Sequence, residues 1–251
     1  MTTSAEIPVS VDPLPNACVA INLKVMLEGP YNASTHLMNT TLNQRGLLPG
    51  QTPIGSFAVV TPSGQPYNTA PWNYTGTESM TSYASDIVDW VLVSLRTDSL
   101  TTQSVFKAAG LLHADGRITF VRPCFQLPVG SYFAVVEHRN HLGVMTPNKV
   151  MVSNNTISFD FTRQDSYRMA NPPSFGQIQL DGKWMMYGAD GKKDNFTDNF
   201  DINFFDSKLW KDESGIFDQY RYGDFNMDAD VNFSDSVLWN KNNGRYSKVP
   251  H

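Results

Sequence analysis

Residues 87–96 read IVDWVLVSLR, the strongest strand signal in the chain. Other short segments also read as strands, and in 19–27 and 132–138 the residues alternate with the period of two that is typical of half-buried strands. They are residues 19–27, 107–112, 117–121, 132–138 and 156–161. The dipeptide Asp115-Gly116 between two of them is a hairpin turn signal. About seven or eight short strands predict an antiparallel, immunoglobulin-like β-sandwich over residues 18–165.

Composition excludes several classes of protein. The chain has 251 residues, of which 41% are hydrophobic and 17% are charged, so we expect a folded rather than a disordered protein. The net charge of −5, without a basic stripe, argues against nucleic-acid binding. No apolar run is long enough for a membrane span, and residues 1–10 do not resemble an intact secretory signal.

The C-terminal part of the chain has a different character. We expect an N-terminal arm (1–17), a Pro-containing linker (166–180) and a separate acidic module (181–251) after the sandwich. That module contains a repeat, because DINFFDSKLW at 201–210 and DVNFSDSVLW at 230–239 share seven of ten residues. A repeat of this kind indicates a duplicated supersecondary unit.

Residues 224–235, the second loop, have the pattern of a calcium site. Oxygen-bearing side chains stand at positions 1, 3, 5, 7, 9 and 12, and the EF-hand pattern uses the backbone carbonyl at position 7. These positions are Asp224, Asn226, Asp228, Asp230, Asn232 and Asp235. Two residues depart from the pattern. Position 6 is Ala229 instead of Gly, and position 12 is Asp instead of Glu.

With Asp at position 12, one helix after each loop and two copies, the module resembles dockerin type I modules. The whole chain resembles the sandwich-plus-dockerin regions near the C-termini of large secreted or surface proteins of Bacteroidota-type bacteria, some labelled hemagglutinins. The segments that carry this likeness are LKVMLEGPY (23–31), VDWVLVSLR (88–96), ADGR (114–117) and VVEHRNHLGVM (135–145). The resemblance implies Ca²⁺ on Asp224, Asn226, Asp228 and Asp235.

The first loop allows more than one register. The repeat offset places it at 195–206, with candidate ligands Asn195, Thr197, Asn199, Asp201, Asn203 and Asp206. A second register starts at Asp190 and puts Lys192 at position 3, which weakens it. The family also tolerates longer first loops, in which Asp190, Asp194 and Asp198 contribute.

The remaining side chains point to no catalytic motif. His138 and His141 lie three apart at the end of a strand, where their side chains are expected on opposite faces, and we interpret them as structural. Asp89 and Glu137 are interpreted as outward-facing charges. Cys18 and Cys124 are either buried free thiols or one disulfide formed in an oxidising compartment.

These features predict a non-catalytic, extracellular or cell-surface protein that binds Ca²⁺ and contacts another protein or assembles with itself. The alternative is a carbohydrate-binding adhesin. In that case Trp72 and Tyr74, in a loop-like stretch of the sandwich, would stack on sugar rings. The same aromatic residues would otherwise close the end of the sandwich.

Overall fold

The computed structural model describes residues 17–57, 59–170, 173–193 and 200–250, so residues 1–16 of the predicted arm (1–17) lie outside it, and Ala17 already belongs to a strand. The described chain is mainly β, with few and short helices. The strands are β1 (Ala17–Lys24), β2 (Tyr31–Asn32), β3 (Leu37–Met38), β4 (Ile87–Arg96), β5 (Phe106–His113), β6 (Ile118–Thr119), β7 (Phe125–Leu127), β8 (Ser131–His138), β9 (His141–Met145), β10 (Val150–Met151), β11 (Thr156–Asp160), β12 (Arg168–Ala170), β13 (Pro173–Phe175), β14 (Gln177–Leu180) and β15 (Lys183–Met186). The helices are α1 (Thr41–Gln44), α2 (Phe204–Glu213) and α3 (Phe233–Asn242), with a 3-10 turn at Pro66–Asn68.

Two sheets form the body of the protein, which is consistent with the β-sandwich prediction. The larger has the order β10-β8-β4-β5-β6, with β9 also paired to β8, and the smaller has the order β11-β1-β7. Residues of both sheets, such as Ile21, Val91 and Ile157, belong to one buried core. The prediction of a purely antiparallel sandwich is wrong, because β1 and β11 pair in parallel. Parallel pairing requires a crossover connection, and here all the strands of the larger sheet lie between β1 and β11 in the sequence.

Strand β4 is buried along its whole length. The stretch before it covers part of this strand, since the Tyr67 hydroxyl donates to the Trp90 carbonyl at 2.8 Å and Trp90 Nε1 donates to the Tyr83 hydroxyl at 2.8 Å. Burial on both faces explains why this strand is apolar at nearly every position. The outward-facing interpretation of Asp89 and Glu137 is wrong, because both side chains are buried.

Cys18 and Cys124 form a disulfide, with their Cα atoms 5.4 Å apart. The bond lies where β1 pairs with β7, since Cys18 is opposite Gln126. Of the two alternatives that the sequence left open, the structure has the disulfide. Within the described part of the chain, no helix combines the length and the apolar character needed to cross a bilayer.

The segment between the sandwich and the acidic module is structured. The predicted linker at 166–180 contains β12, β13 and β14, and residue 181 lies in the turn of the β14–β15 hairpin. Met185 and Met186 are buried in the main core, and the Met186 amide donates to the Met26 carbonyl at 2.8 Å. The hairpin therefore packs with the sandwich and leads directly into the acidic region.

Candidate metal centre

The duplicated sequence forms two loop–helix units with the same caps. At the start of α2, the Asn203 side chain accepts from the Phe205 amide and Asp206 accepts from the Asn203 amide. Asn232 and Asp235 form the same capping box at the start of α3. The Asn and Asp of each repeat are therefore explained by helix initiation, in addition to any role toward a metal.

The two units close on each other with approximate two-fold symmetry. Trp210 Nε1 of α2 donates to the Asn232 carbonyl at 2.7 Å, and Trp239 Nε1 of α3 donates to the Asn203 carbonyl at 2.8 Å. Each tryptophan thus bonds to the N-cap residue of the other helix. This exchange explains why Trp is kept in both copies of the repeat.

The second loop brings its first and last carboxylates to the same place. Asp224 accepts from the backbone amides of Asp228 at 3.1 Å and Ala229 at 2.9 Å. Asp235 accepts from the amides of Phe225 at 2.7 Å and Asn226 at 3.1 Å. The loop is therefore folded around its own side-chain oxygens, as a calcium loop is.

Negative charge is concentrated inside this loop. Burial raises the pKa of Asp224 well above its usual range, and the nearby carboxylates of Asp235 and Asp228 raise it further. Burial likewise raises the pKa of Asp235 to about 6. The guanidinium of Arg139 opposes the shift at Asp224 but does not cancel it. A divalent cation would relieve this repulsion.

The chemistry of the donor set fits calcium. Among the described residues, no three His, Cys, Asp or Glu side chains are grouped closely enough to hold a metal by themselves. Calcium would therefore need the amide oxygen of Asn226 and the carbonyl of Asp230 besides the carboxylates. The Asp230 side chain accepts a hydrogen bond from Arg45 at 3.1 Å, so its backbone carbonyl is the oxygen left for a metal. Ala229 has φ +78°, the left-handed conformation that normally requires Gly at this position.

The first loop follows a longer register than the repeat offset suggests. Asp206 accepts from the Lys192 amide at 2.8 Å, which matches the bond from Asp235 to the Asn226 amide in the second loop. Asp190 therefore stands where Asp224 stands, and the loop is five residues longer. Of the other predicted ligands, Asn195, Thr197 and Asn199 lie outside the described residues, and Asp201 accepts from the Asn203 side chain at 2.7 Å.

The turn at 138–141 joins β8 to β9, and its two histidines face each other. His138 and His141 are paired across the hairpin, with their Nδ1 atoms 3.2 Å apart. The expectation that they point to opposite faces is wrong because Arg139 and Asn140 form a two-residue turn that reverses the chain. Burial lowers the pKa of both rings, and each ring nitrogen has a partner.

The 138–141 turn holds the first residues of both loops. The Asn140 carbonyl accepts from the Asp190 amide at 3.1 Å, and Asn140 Nδ2 donates to the Asp224 carbonyl at 2.6 Å. Beside it, Arg139 Nε donates to Asp89 at 2.9 Å, and Asp89 accepts from the Tyr220 hydroxyl at 2.7 Å. Burial alone would raise the pKa of Asp89, but the Arg139 guanidinium and the hydrogen bonds from His138 and Tyr220 lower it to about 2. Sequence reasoning missed this role of Asn140. The only available signal was a short polar turn between two strands.

The predicted sugar contact is not formed as expected. Trp72 is 6% exposed and packs edge-to-face on Tyr67, with ring centroids 5.0 Å apart, so it is wrong as an exposed stacking residue. The stretch folds back onto β4, where the Tyr67 hydroxyl donates to the Trp90 carbonyl. Tyr74 is half-buried, donates to Glu78 at 2.6 Å and lines a shallow groove with Phe106.

No protein-family model matches this chain, and no curated protein is similar to it. The solved structures that are similar to it include two of type II Cohesin-X-Dockerin complexes from Acetivibrio cellulolyticus. The first, a C-terminal interface mutant, has 10% identity and a TM-score of 0.43 over 91% of this chain and 97% of that chain. The second, an N-terminal interface mutant, has 14% identity and a TM-score of 0.33 over 62% of this chain and 82% of that chain. Both TM-scores are below 0.5, so a functional assignment has to rest on this chain's own residues.

Proposed function

We propose that this chain is a non-catalytic extracellular or cell-surface protein whose C-terminal dockerin-like module binds calcium and mediates protein–protein interaction. The observation that carries the proposal is an apolar residue exposed at the same place in both repeats. Phe204 and Phe233 are the first residues of α2 and α3, and they are 70% and 76% exposed. Neither belongs to a buried core cluster.

The repeat separates structural residues from these phenylalanines. Its Asn and Asp cap the helices, and its Trp bonds to the opposite N-cap. The Phe at the first helical position does neither, yet it is present in both copies. Phe205, beside Phe204, is also exposed. Large apolar side chains that stay in water at matching sites favour a protein partner that buries them.

Calcium has a structural role in this proposal. A cation on the second loop would fix the start of α3 and thereby the position of Phe233. Because calcium would bind the folded form, a concentration of 100 times its Kd would raise the free energy of unfolding by about 2.7 kcal/mol. The disulfide Cys18–Cys124 supports an oxidising, extracellular location.

The buried polar cluster supports a non-catalytic function. Asp89, His138 and Arg139 have fully buried side chains. A group that transfers protons to a substrate has to reach it. We therefore assign this cluster to holding the two parts of the protein together.

The first experiment is thermal unfolding in calcium and in EDTA, with Asp224→Asn beside the parent. At about 2–4 °C per kcal/mol for a chain of this size, saturating calcium should raise the parent Tm by roughly 5–10 °C. Asp224→Asn should lose most of that rise. If the parent Tm is the same in calcium and in EDTA, the proposed calcium binding is wrong.

The second experiment tests the helix surface. The full chain is immobilised and incubated with the extracellular proteins of the organism that produces it, once in calcium and once in EDTA. A partner that uses this surface should be retained only in calcium and lost with Phe204→Ser/Phe233→Ser. Leu100→Ser, which is 77% exposed on the sandwich, should retain it. Sedimentation of the same variants separates self-assembly from a different partner. If the phenylalanine double variant retains everything that the parent retains, the surface is not the contact.

A further inference from the structure

A buried lysine lies in the first loop beside the residue that matches Asp224. The ammonium of Lys193 donates to the carbonyls of Asp190 and His141, each at 2.9 Å, and to the carboxylate of Asp190. All three hydrogens of the ammonium are therefore used. The side chains of Lys193 and Asp190 are 1% and 0% exposed.

The second loop has no such cation of its own. The residue three positions after Asp224 is Met227, which is buried and apolar. Position 3 also differs, being Lys192 in the first loop and Asn226 in the second. The first loop has thus gained positive side chains where the second presents neutral ones. A calcium ion on Asp190 would stand within a few ångströms of the Lys193 ammonium, and like charges this close repel strongly in a buried site.

We propose that Lys193 takes the place of calcium in the first loop, so that the chain binds a single calcium ion, in the second loop. This inference rests on the proposed calcium function and restricts it to one site. The start of the first loop, residues 190–193, then keeps its place without metal, because the internal ammonium neutralises Asp190 and ties it to the 138–141 turn through the His141 carbonyl.

The competing arrangement has a second calcium ion in the first loop, bound by one carboxylate oxygen. Asp190 Oδ1 is buried and has no hydrogen-bond partner among the described residues. It is the atom that a second calcium would bind if the Lys193 side chain moved away. The number of calcium ions bound therefore decides between the two arrangements.

The experiment is isothermal titration of the chelator-stripped full chain with calcium chloride. We expect one calcium per chain in the parent and none in Asp224→Asn. Asp190→Asn, the matched substitution in the other loop, should still bind one calcium. Its Kd should lie within about threefold of the parent Kd, a difference of less than 1 kcal/mol in binding free energy.

A second variant covers the case in which Asp190→Asn leaves the buried Lys193 ammonium without its carboxylate partner and the chain fails to fold. Asp190→Asn/Lys193→Met removes both charges of the buried pair and should also bind one calcium. Two calcium ions per parent chain, or loss of one ion in either Asp190 variant, would overturn the inference and leave the proposed function intact. No binding by the parent would overturn both.

Discussion

Replacing Asn140 tests whether the 138–141 turn holds the first and second loops in place. Asn140→Ala removes the bond from Nδ2 to the Asp224 carbonyl at 2.6 Å and the bond between Oδ1 and His141 Nδ1 at 2.8 Å. Both partners are buried and would lose a hydrogen bond, at about 1–3 kcal/mol each. We therefore expect a loss of about 3 kcal/mol in the free energy of unfolding, or roughly 6–12 °C in Tm.

The assay is urea unfolding at pH 7 in EDTA, with Asn68→Ala as the control. Asn68 is exposed, so its replacement should change the free energy by less than about 0.5 kcal/mol. Asn140→Asp sharpens the test, because it places an acceptor against the Asp224 carbonyl and should destabilise at least as much as alanine. If Asn140→Ala unfolds like the control, the contact between the turn and the loops contributes nothing and our reasoning fails.

Three further predictions concern single features of the structure. His141 is held neutral by burial, so its lowered pKa makes the folded state lose about 2 kcal/mol between pH 7 and pH 5, where the unfolded ring is protonated; His141→Gln should flatten this part of a pH series of urea unfolding curves. Ala229→Gly relieves the left-handed backbone at φ +78° and should raise stability by up to ~1 kcal/mol, whereas a loss would show that the buried methyl matters more than the strain. Cys18→Ser/Cys124→Ser removes a disulfide that spans a sequence separation of 106 and constrains the unfolded chain, so calorimetry should show a loss of about 3–5 kcal/mol in the free energy of unfolding. An unchanged free energy of unfolding would contradict this prediction.

Local patterns predicted the parts of the fold that depend on neighbouring residues. Strand β4 has the predicted bounds, Ile87–Arg96, and the turn at Gly116 has the positive φ that such a hairpin requires. The repeat predicted two loop–helix units, and the capping pairs that start α2 and α3, although not predicted, are equally local because both members of each pair lie within four residues. Local sequence fixes these features almost unaided.

Contacts between distant segments could not be predicted in the same way. The parallel pairing of β1 with β11 and the burial of Trp72 both depend on segments far apart in the chain. For a related reason, the first-loop register given by the repeat offset does not match the structure, whereas the longer alternative that includes Asp190 does. A fixed repeat offset assumes equal loop lengths, whereas the Asp206 carboxylate bonds to the Lys192 amide. An insertion between two matching ends is visible only when both ends are seen together.

The 138–141 turn makes the stability of the sandwich and that of the C-terminal module interdependent. Asn140 bonds to the first residue of each loop, and Glu28 of the sandwich accepts from the Asn242 side chain of α3 at 2.6 Å. A ligand that stabilises the second loop would therefore also stabilise the contacts between the sandwich and the loop–helix units, because breaking those contacts would release the loop. In the same way, a sandwich that holds the loops in their folded form would lower the ordering cost of the calcium binding that we propose. The fused sandwich thus supports the two loop–helix units from within the chain, while Phe204 and Phe233 remain exposed at the starts of α2 and α3.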